Sequence, residues 1–345
     1  MTNTRKALIV SPYLDHLGGG ERYMLSAASA LESLDYSVFF SWDNLAEIAS
    51  LATMLGIKLN NPQLDPVIKK FYFGSNPLSM YLSTKNYDVV IYLSDGSLPL
   101  LGSRKNIIHM QVPFHHVSGR SWKNQFKKMF VHHVVVNSLF TKRIIDQEFG
   151  LSSTVLYPPV DGIVGTPQKD NLILSVGRFE PSLNTKHQDI LIEAFKLLSP
   201  NLPGWKLVLA GGSSSDEWLT KLKNMAVDLP IEFAPNIAHA DLSTLYSRAK
   251  IYWHAAGFGV DEQKNPELTE HFGISTVEAI SAGCLPLVVP YGGQREIVVD
   301  TNLHWTTIEE LNTKTLWLSQ NPQVPSLDIS LYSPANFATE LKKLL

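Results

Sequence analysis

Residues Glu270-His271-Phe272-Gly273-Ile274-Ser275-Thr276-Val277-Glu278 are the most informative part of this chain, because they set two glutamates eight residues apart across a glycine. The glycine is predicted to open a helix that continues to Gly283. Glu270 precedes the helix, where free N–H groups and the positive end of the dipole gather. Glu278 lies about two turns on and, at roughly 3.6 residues per turn, returns to the same side.

This spacing suits a ligand with sugar hydroxyls at one end, phosphates in the middle and a ribose at the other. Such a ligand could touch both carboxylates while its phosphates rest at the helix N-terminus. The alternative is a solvated amphipathic helix with two exposed glutamates.

The segments that follow continue an α/β pattern. Residues Cys284–Pro290 read as a buried parallel strand, and Tyr291–Val298 as a glycine turn that starts another helix. Cys284 is the only cysteine, so it forms no internal disulfide, and its apolar surroundings predict a small buried hydrophobe.

Taken together, these residues resemble the nucleotide-sugar signature of glycosyltransferase family 4: a glutamate, Phe-Gly, a second glutamate, a buried strand and Gly-Gly-x-x-Glu-Ile-Val. The resemblance implies the α/β GT-B architecture, in which two Rossmann-like doubly wound domains face across a cleft. It also implies transfer with retention of anomeric configuration. The donor contacts implied in this motif are Phe272, Gly273, Ile274, Ser275, Glu270 and Glu278.

Length and composition fit a protein of two lobes. The chain has 345 residues, of which 44% are hydrophobic and 18% charged, with a formal charge of −3. The hydrophobic content excludes a disordered chain. The slightly negative net charge argues against a nucleic-acid-binding protein. The predicted domains are residues 1–164, which bind the acceptor, residues 165–332, which bind the nucleotide sugar, and a helix over 333–345 that returns to the first lobe.

The localisation predicted from the sequence is cytoplasmic, with peripheral contact at the inner face of the membrane left open. The apolar stretch near Met1 is too short for a signal peptide, and no run approaches the roughly 18–20 apolar residues that span a bilayer.

The first lobe opens with a predicted strand, Lys6–Val10, and then the glycines Gly18, Gly19 and Gly20 before a helix. Strand, glycine loop and helix form a phosphate-binding arrangement. The alternative is a simple tight turn. The pattern is not Gly-x-Gly-x-x-Gly, which disfavours a dinucleotide site. The resemblance places this loop under the donor diphosphate.

Later strands are predicted at 36–42, 88–94, 106–112 and 131–136, followed by a helix over Leu139–Phe149 with Ser138 as its N-cap. Pro158 and Pro159 mark the exit from the first lobe. By the resemblance, His109 polarises the donor sugar or Gln111 holds an acceptor hydroxyl. The leaving phosphate can accept the acceptor's proton, so a protein base is not compulsory.

The second lobe begins with a predicted strand that ends at Gly177-Arg178, and Lys186 follows before the next helix. In the family, an arginine and a lysine here neutralise the diphosphate and stabilise the charge that grows as the glycosidic bond breaks. The alternative is a surface salt-bridging pair. Residues inserted around 181–185 lengthen the usual gap to Lys186. No Asp-x-Asp occurs, which predicts that neither a metal nor a cofactor is required.

Further along the second lobe, Asn236 and Ile237 resemble the place where backbone groups meet the nucleotide base. His254 ends a predicted strand, and we interpret it as a histidine with a satisfied partner rather than a catalyst. The loop 257–269 delivers Glu270 and could act as a lid.

Residues Gly119–Phe130 carry four basic side chains and no acidic one, with Trp122, Phe126 and Phe130 four residues apart. This helical stripe could rest on an anionic membrane, or it could face the core while the lysines are solvated.

The function predicted from the sequence is metal-independent, retaining transfer of a hexose from a nucleotide-diphosphate sugar to a glycan or lipid-linked glycan hydroxyl. The first choice of sugar is mannose from GDP-mannose. The alternatives are a nucleotide-sugar epimerase of the same two-lobe fold and a non-catalytic sugar-nucleotide-binding protein.

Overall fold

The computed structural model describes residues 5–14, 18–65, 76–166, 168–181, 186–213, 216–321 and 328–345. The chain forms two compact units, Met1–Pro159 with Ser330–Leu345, and Val160–Ile329. The predicted domains end after residues 164 and 332, whereas the structure divides after 159 and 329. The first division falls directly after the two prolines, which fix φ and interrupt regular structure.

The first unit contains a parallel sheet in the order β3-β2-β1-β4-β5-β6-β7. β1 pairs with both β2 and β4, and residues 7–10 of β1 are almost fully buried. A strand covered on both faces must be apolar throughout, which explains the run Ala-Leu-Ile-Val. The strands are β1 Arg5–Val10, β2 Tyr36–Phe40, β3 Gln63–Leu64, β4 Val89–Leu93, β5 Lys105–Met110, β6 His133–Val136 and β7 Thr154–Val155.

Helices cover the faces of this sheet, and one of them has the predicted bounds. Leu139–Phe149 begins where the Ser138 hydroxyl accepts the Thr141 N–H, as predicted, and ends at Gly150 with φ of 61°. The helices of the first unit are α1 Gly19–Ser33, α2 Leu45–Met54, α3 Pro77–Thr84, α4 Trp122–Lys128 and α5 Leu139–Phe149, with α12 Pro334–Lys342 at the C-terminus.

The C-terminal helix α12 returns to the first unit, as predicted. Phe337, Leu341 and Leu344 are buried in the same apolar cluster as the core of α1. The Phe337 ring meets the Tyr23 ring edge-on at a centroid distance of 5.3 Å.

The second unit contains a parallel sheet in the order β10-β9-β8-β11-β12. The chain leaves β8 toward one edge and later adds β11 on the other side, so the carboxyl ends of these two strands flank the topological switch point. Its elements are α6 Gln188–Leu198, α7 Asp216–Met225, α8 His239–Arg248, α9 Ile274–Ser281, α10 Gln294–Ile297, α11 Ile308–Gln320, β8 Asp170–Val176, β9 Lys206–Gly211, β10 Ile231–Pro235, β11 Ala249–His254 and β12 Leu285–Val288.

The predicted fold class is confirmed, because both units are parallel-sheet α/β structures of the Rossmann kind. Cys284 is buried just before β12, as predicted. Its thiol donates toward the carbonyl oxygens of Tyr246 and Ala249, each 3.2 Å away, and burial raises its pKa to about 11. Of the helices described, none is long and apolar enough to span a membrane.

Candidate functional site

Three side chains meet at the carboxyl edge of the second sheet. The Glu270 Oε2 atom lies 2.6 Å from Lys186 Nζ and 2.8 Å from His254 Nε2. Lys186 follows β8 in the chain, and His254 is the last residue of β11, the neighbouring strand. The topology therefore brings together groups that are 84 and 16 residues apart in sequence.

This cluster holds Glu270 in its ionised form. Burial by itself would raise the pKa of the Glu270 carboxyl, but the Lys186 ammonium and the hydrogen bond from His254 outweigh it and hold the pKa well below its usual range. Burial lowers the pKa of His254, against the opposing effect of Glu270. Because an ionised carboxylate only accepts hydrogen bonds, the neutral His254 ring presents its Nε2–H to Glu270.

A glycine makes room for the lysine of this cluster. A Cβ atom at Gly177 would lie 2.5 Å from Lys186 Cγ, so the lysine side chain crosses the backbone where only glycine fits. The next side chain, Arg178, is exposed at the same strand end. The Gln188 amide donates to the Arg178 carbonyl at 2.9 Å. Of the predicted insertion, residues 182–185 lie outside the described part of the chain.

A second pair of glycines positions Glu270 itself. The Gly293 N–H donates to the Glu270 carbonyl oxygen at 2.7 Å. Gly292 has φ of +64°, and a Cβ atom there would lie 2.0 Å from that oxygen. The predicted glycine turn therefore closes directly on the backbone that presents the first glutamate.

The predicted helix after Gly273 begins at Ile274. Gly273 has φ of +118°, and a Cβ atom there would lie 2.5 Å from the Gln294 amide. That amide donates to the Thr276 hydroxyl at 3.0 Å and lies 3.4 Å from His254 Nε2. Gln294 is thus a buried neighbour of the cluster that sequence reasoning missed.

The other predicted donor contacts in the motif differ in their burial and in their hydrogen bonds. The Ser275 hydroxyl accepts a hydrogen bond from the Tyr252 hydroxyl at 2.8 Å. Ile274 is half-buried. The Phe272 side chain is buried, so this residue can meet a ligand only through its backbone.

Glu278 lines a cavity of about 360 Å³ in the second unit. Its side chain is buried, and its charge helps to raise the pKa of Tyr246, after the larger effect of burial. The rest of the lining includes three hydroxyl groups, one imidazole and a second carboxylate beside apolar side chains, and comprises Asp161, Gly162, Ile163, Val164, His239, Ser243, Thr244 and Ser247. Hydroxyls and two carboxylates around one cavity offer hydrogen-bond partners to a ligand rich in hydroxyl groups.

The predicted base contacts, Asn236 and Ile237, follow β10. The Asn236 side chain exchanges hydrogen bonds with the backbone of Ser213 at 2.9 and 3.2 Å, and its φ is +51°. Its side chain therefore joins the end of β10 to the segment that follows β9, while Ile237 packs against an apolar cluster. His239, which follows closely, reaches the cavity that holds Glu278.

In the first unit, Gly18 is the N-cap of α1, and Gly19 and Gly20 form its first turn. A Cβ atom at Gly20 would lie 2.5 Å from the side-chain amide of Gln111. Gln111 follows β5 and therefore covers the glycine turn. Residues 15–17 of this predicted loop lie outside the described part of the chain.

His109, the predicted polarising residue, lies in the core of the first unit. Its ring is fully buried and stacks on the Tyr23 ring, with centroids 3.7 Å apart and planes 2° apart. Burial lowers its pKa to about 3. The His109 ring has no exposed surface in this structure, and its polarising role stays a prediction. β5 alternates its side chains, and position 109 faces the core under α1.

Residues 161–324 match the family described as "Glycosyl transferases group 1". The chain is 30% identical over 204 residues to the GDP-Man:Man(3)GlcNAc(2)-PP-Dol alpha-1,2-mannosyltransferase of Dictyostelium discoideum, which covers 51% of this chain and 38% of that protein. It is 32% identical over 189 residues to the human protein of the same name. This match covers 48% of this chain and 36% of the human protein. The chain thus spans less than two fifths of the length of these relatives.

Solved structures resemble the whole chain. Anabaena Alr3699/HepE, crystallised with UDP and glucose, has a TM-score of 0.72 at 16% identity and covers 98% of each chain. The pneumococcal O-GlcNAc transferase GtfA, crystallised with UDP and GlcNAc, has a TM-score of 0.70 at 14% identity and covers 99% of this chain and 98% of that chain. At these identities the likeness shows the fold.

Proposed function

We propose that this chain, whose second unit is a group 1 glycosyl transferase domain, transfers a hexose from a nucleotide-diphosphate sugar to a hydroxyl of a glycan. The observation that carries the proposal is the contact of the Glu270 carboxylate with Lys186 and His254 at the carboxyl edge of β8 and β11. Glu278, eight residues further on, lines a cavity large enough for part of a ligand. Ligands of open α/β sheets bind at this edge.

In the proposed reaction, Lys186 and Arg178 stabilise the diphosphate. Negative charge grows on the leaving diphosphate as the glycosidic bond breaks, and preset cations favour that growth. The Lys186 charge is balanced by Glu270 in this structure, whereas Arg178 is exposed. The two cations supply the charge compensation that a metal provides elsewhere, and the proposal is therefore metal-independent.

The two glutamates take opposite ends of the donor. Glu270 meets the transferred sugar and the charge that develops at its anomeric carbon, while Glu278 accepts hydrogen bonds from the ribose. Gly18, Gly19 and Gly20 offer backbone N–H groups at the start of α1. Gln111, which covers Gly20, holds an acceptor hydroxyl. The anomeric configuration is retained, with the leaving phosphate accepting the acceptor's proton.

For the substrates, we propose mannose from GDP-mannose and a lipid-linked glycan. The support is the name shared by the Dictyostelium and human relatives, which gives GDP-Man as donor and a PP-Dol-linked oligosaccharide as acceptor. A lipid-linked acceptor places the reaction beside a membrane, and the proposal includes cytoplasmic localisation with peripheral contact at the inner face.

The first experiment is a thermal-shift panel of GDP, UDP and ADP with GDP-mannose, UDP-glucose and UDP-GlcNAc. A ligand at about 100 times its dissociation constant stabilises by roughly 2.7 kcal/mol. We expect stabilisation by GDP and GDP-mannose. A response to the uridine compounds alone would overturn the choice of donor and leave the reaction class intact.

The second experiment tests transfer with the donor so identified, a lipid-linked oligomannose acceptor and the same reaction without acceptor. We expect a glycosylated product whose new anomeric centre keeps the donor's configuration by NMR, in EDTA as well as in buffer. A changed sugar without acceptor would indicate an epimerase, and binding without turnover a non-catalytic protein. A strict requirement for magnesium or manganese would contradict metal independence.

Substitutions of the two proposed diphosphate-binding residues test their role in the reaction. Lys186→Ala and Arg178→Ala should lower turnover by orders of magnitude, since a removed transition-state donor costs about 2.7–4 kcal/mol. Lys223→Ala, an exposed lysine on α7 of the same unit, is the matched control and should keep wild-type turnover. Activity of both site variants within a few-fold of wild type would refute the diphosphate assignment.

A further inference from the structure

Helix α4 presents an apolar stripe to solvent. Trp122 is 77% exposed, Phe126 49% and Met129 72%. These residues are four and three positions apart, which places them on one face of the helix. The sequence left open whether the aromatic stripe faces the core, and the structure turns Trp122 and Phe126 outward. The opposite side is anchored by Asn124, whose amide donates to the Ser118 carbonyl at 3.2 Å.

The apolar surface continues onto the neighbouring helix α3. Phe130 contacts the Phe126 ring at a centroid distance of 5.5 Å and meets the Tyr81 ring edge-on at 5.8 Å. Tyr81 belongs to α3, which exposes Leu78 by 59% and Leu82 by 53%. We call these outward residues of the two helices, together with the basic residues around them, the α3–α4 surface.

The segment that forms α4 is positively charged although the whole chain carries −3. Residues 119–130 include Arg120, Lys123, Lys127 and Lys128 and no acidic residue. Lys85 follows α3 and lies with its Nζ 5.0 Å from the Tyr81 ring centroid. Asp95 interacts with Lys127 from outside the helix. Arg120 and Lys128 donate to the carbonyl oxygens of Gln147 and Gly150 at the end of α5.

We propose that the α3–α4 surface docks on an anionic lipid bilayer. An exposed tryptophan and its apolar neighbours can enter the headgroup region, while lysines at the rim meet anionic headgroups with their charged ends. This charge complementarity favours an anionic membrane over a neutral one, because the negative surface potential attracts each Lys or Arg that lies near it. The inference rests on the proposed function in one respect, since it explains how the chain reaches a lipid-linked acceptor.

The test is co-sedimentation of the full chain with vesicles of phosphatidylcholine alone or mixed with phosphatidylglycerol, in the absence of donor and acceptor. We expect binding to the mixed vesicles that weakens as salt is added. Trp122→Glu and the pair Lys123→Glu with Lys127→Glu should each reduce binding by about tenfold or more. Trp317→Glu and Lys223→Glu are the matched controls, since both residues are exposed in the second unit, and they should bind as wild type.

Equal binding to both kinds of vesicle, or wild-type binding by the α4 variants, would overturn the proposal. Sedimentation equilibrium adds a further outcome: a wild-type dimer that Trp122→Glu dissolves would show that a second copy of the chain covers this surface instead. Because the vesicle test needs no substrate, its failure leaves the transfer reaction standing. Trp122→Glu should also keep full activity toward a water-soluble acceptor, which distinguishes lost docking from misfolding.

Discussion

Glu270 and Glu278 occupy different surroundings although they belong to one motif. Glu270 is compensated by a lysine and a histidine, whereas Glu278 lines a cavity among hydroxyl-bearing side chains. The first carboxylate is therefore fixed by charge at the strand edge. The second is the carboxylate for which we propose a role in recognising the hydroxyl groups of a ligand.

Glutamine substitutions should separate these two roles. Glu278→Gln should weaken free nucleoside diphosphate and intact donor alike, by roughly 1–3 kcal/mol for a lost charged hydrogen bond. Glu270→Gln should spare diphosphate binding and lower the turnover number. Calorimetric titration of the diphosphate, together with steady-state kinetics, measures both. Equal loss of diphosphate affinity in the two variants, or no loss in either, would contradict this division.

His109 predicts a pH dependence of stability in the first unit. Burial lowers its pKa to about 3, whereas the pKa of a histidine in the unfolded chain is about 6.5. The unfolded state therefore binds more protons between these values, and stability falls as the pH is lowered through this window. His109→Phe, which keeps a ring against Tyr23, should remove this effect.

The free energy of unfolding in urea should fall less steeply for His109→Phe than for wild type, by about 1.4 kcal/mol per pH unit between pH 6 and 4. The remaining histidines are common to both proteins, so the difference isolates His109. If the free energies of unfolding of the two proteins changed equally with pH, the argument that burial lowers the pKa of His109 would be refuted. A large loss of donor affinity in this variant would support the predicted contact of His109 with the donor sugar.

At the scale of elements, the glycine turn before α10 fixes the loop that precedes α9. Gly292 and Gly293 approach the backbone of Glu270 and Phe272 more closely than any side chain allows. The Gly-Gly pair of the motif therefore acts through backbone contact between two segments.

Gly292→Ala should displace Glu270 and destabilise the second unit by several kcal/mol, because it combines a left-handed φ with a Cβ 2.0 Å from a carbonyl oxygen. Gly259→Ala is the matched control, since its φ is +73° and open space surrounds its Cβ; it should show only the conformational cost of about 1–2 kcal/mol. Chemical denaturation and turnover measure both variants. Similar losses of stability and turnover in the two variants would show that the close contact of Gly292 with the Glu270 backbone does not contribute to either.

At the scale of the whole molecule, the chain's last helix completes the unit in which the chain begins. Phe337 and Leu341 of α12 are 3% and 1% exposed, in one cluster with α1. The division into two units is therefore not a division into two consecutive segments, because residues 330–345 belong with 1–159.

Phe337→Ala should destabilise the first unit by about 3–5 kcal/mol, the cost of removing a buried aromatic ring. Nucleoside diphosphate binding should stay within a few-fold of wild type, because the residues proposed for ribose and diphosphate lie mainly in the second unit. Urea unfolding and calorimetric titration measure the two effects. Leu331→Ala, at a side chain 48% exposed, is the control and should change stability by less than about 0.5 kcal/mol.

The sequence by itself determined the fold class and the central strands of both sheets. Apolar runs predicted the buried parallel strands, and Ser138 marked the start of α5 because capping is a local interaction. The glycine of the motif predicted the start of α9, since Gly273 precedes its first residue.

Only the tertiary structure decided which side chains meet. His254 and Gln294 adjoin Glu270 because β11, α9 and α10 converge, and no periodicity along the chain encodes that convergence. Burial was equally non-local: His109 lies under α1 and Trp122 faces solvent, although both are aromatic rings in regular elements. The physical reason is that helix and strand periods fix which residues share a face, while the packing of distant elements fixes whether that face is covered.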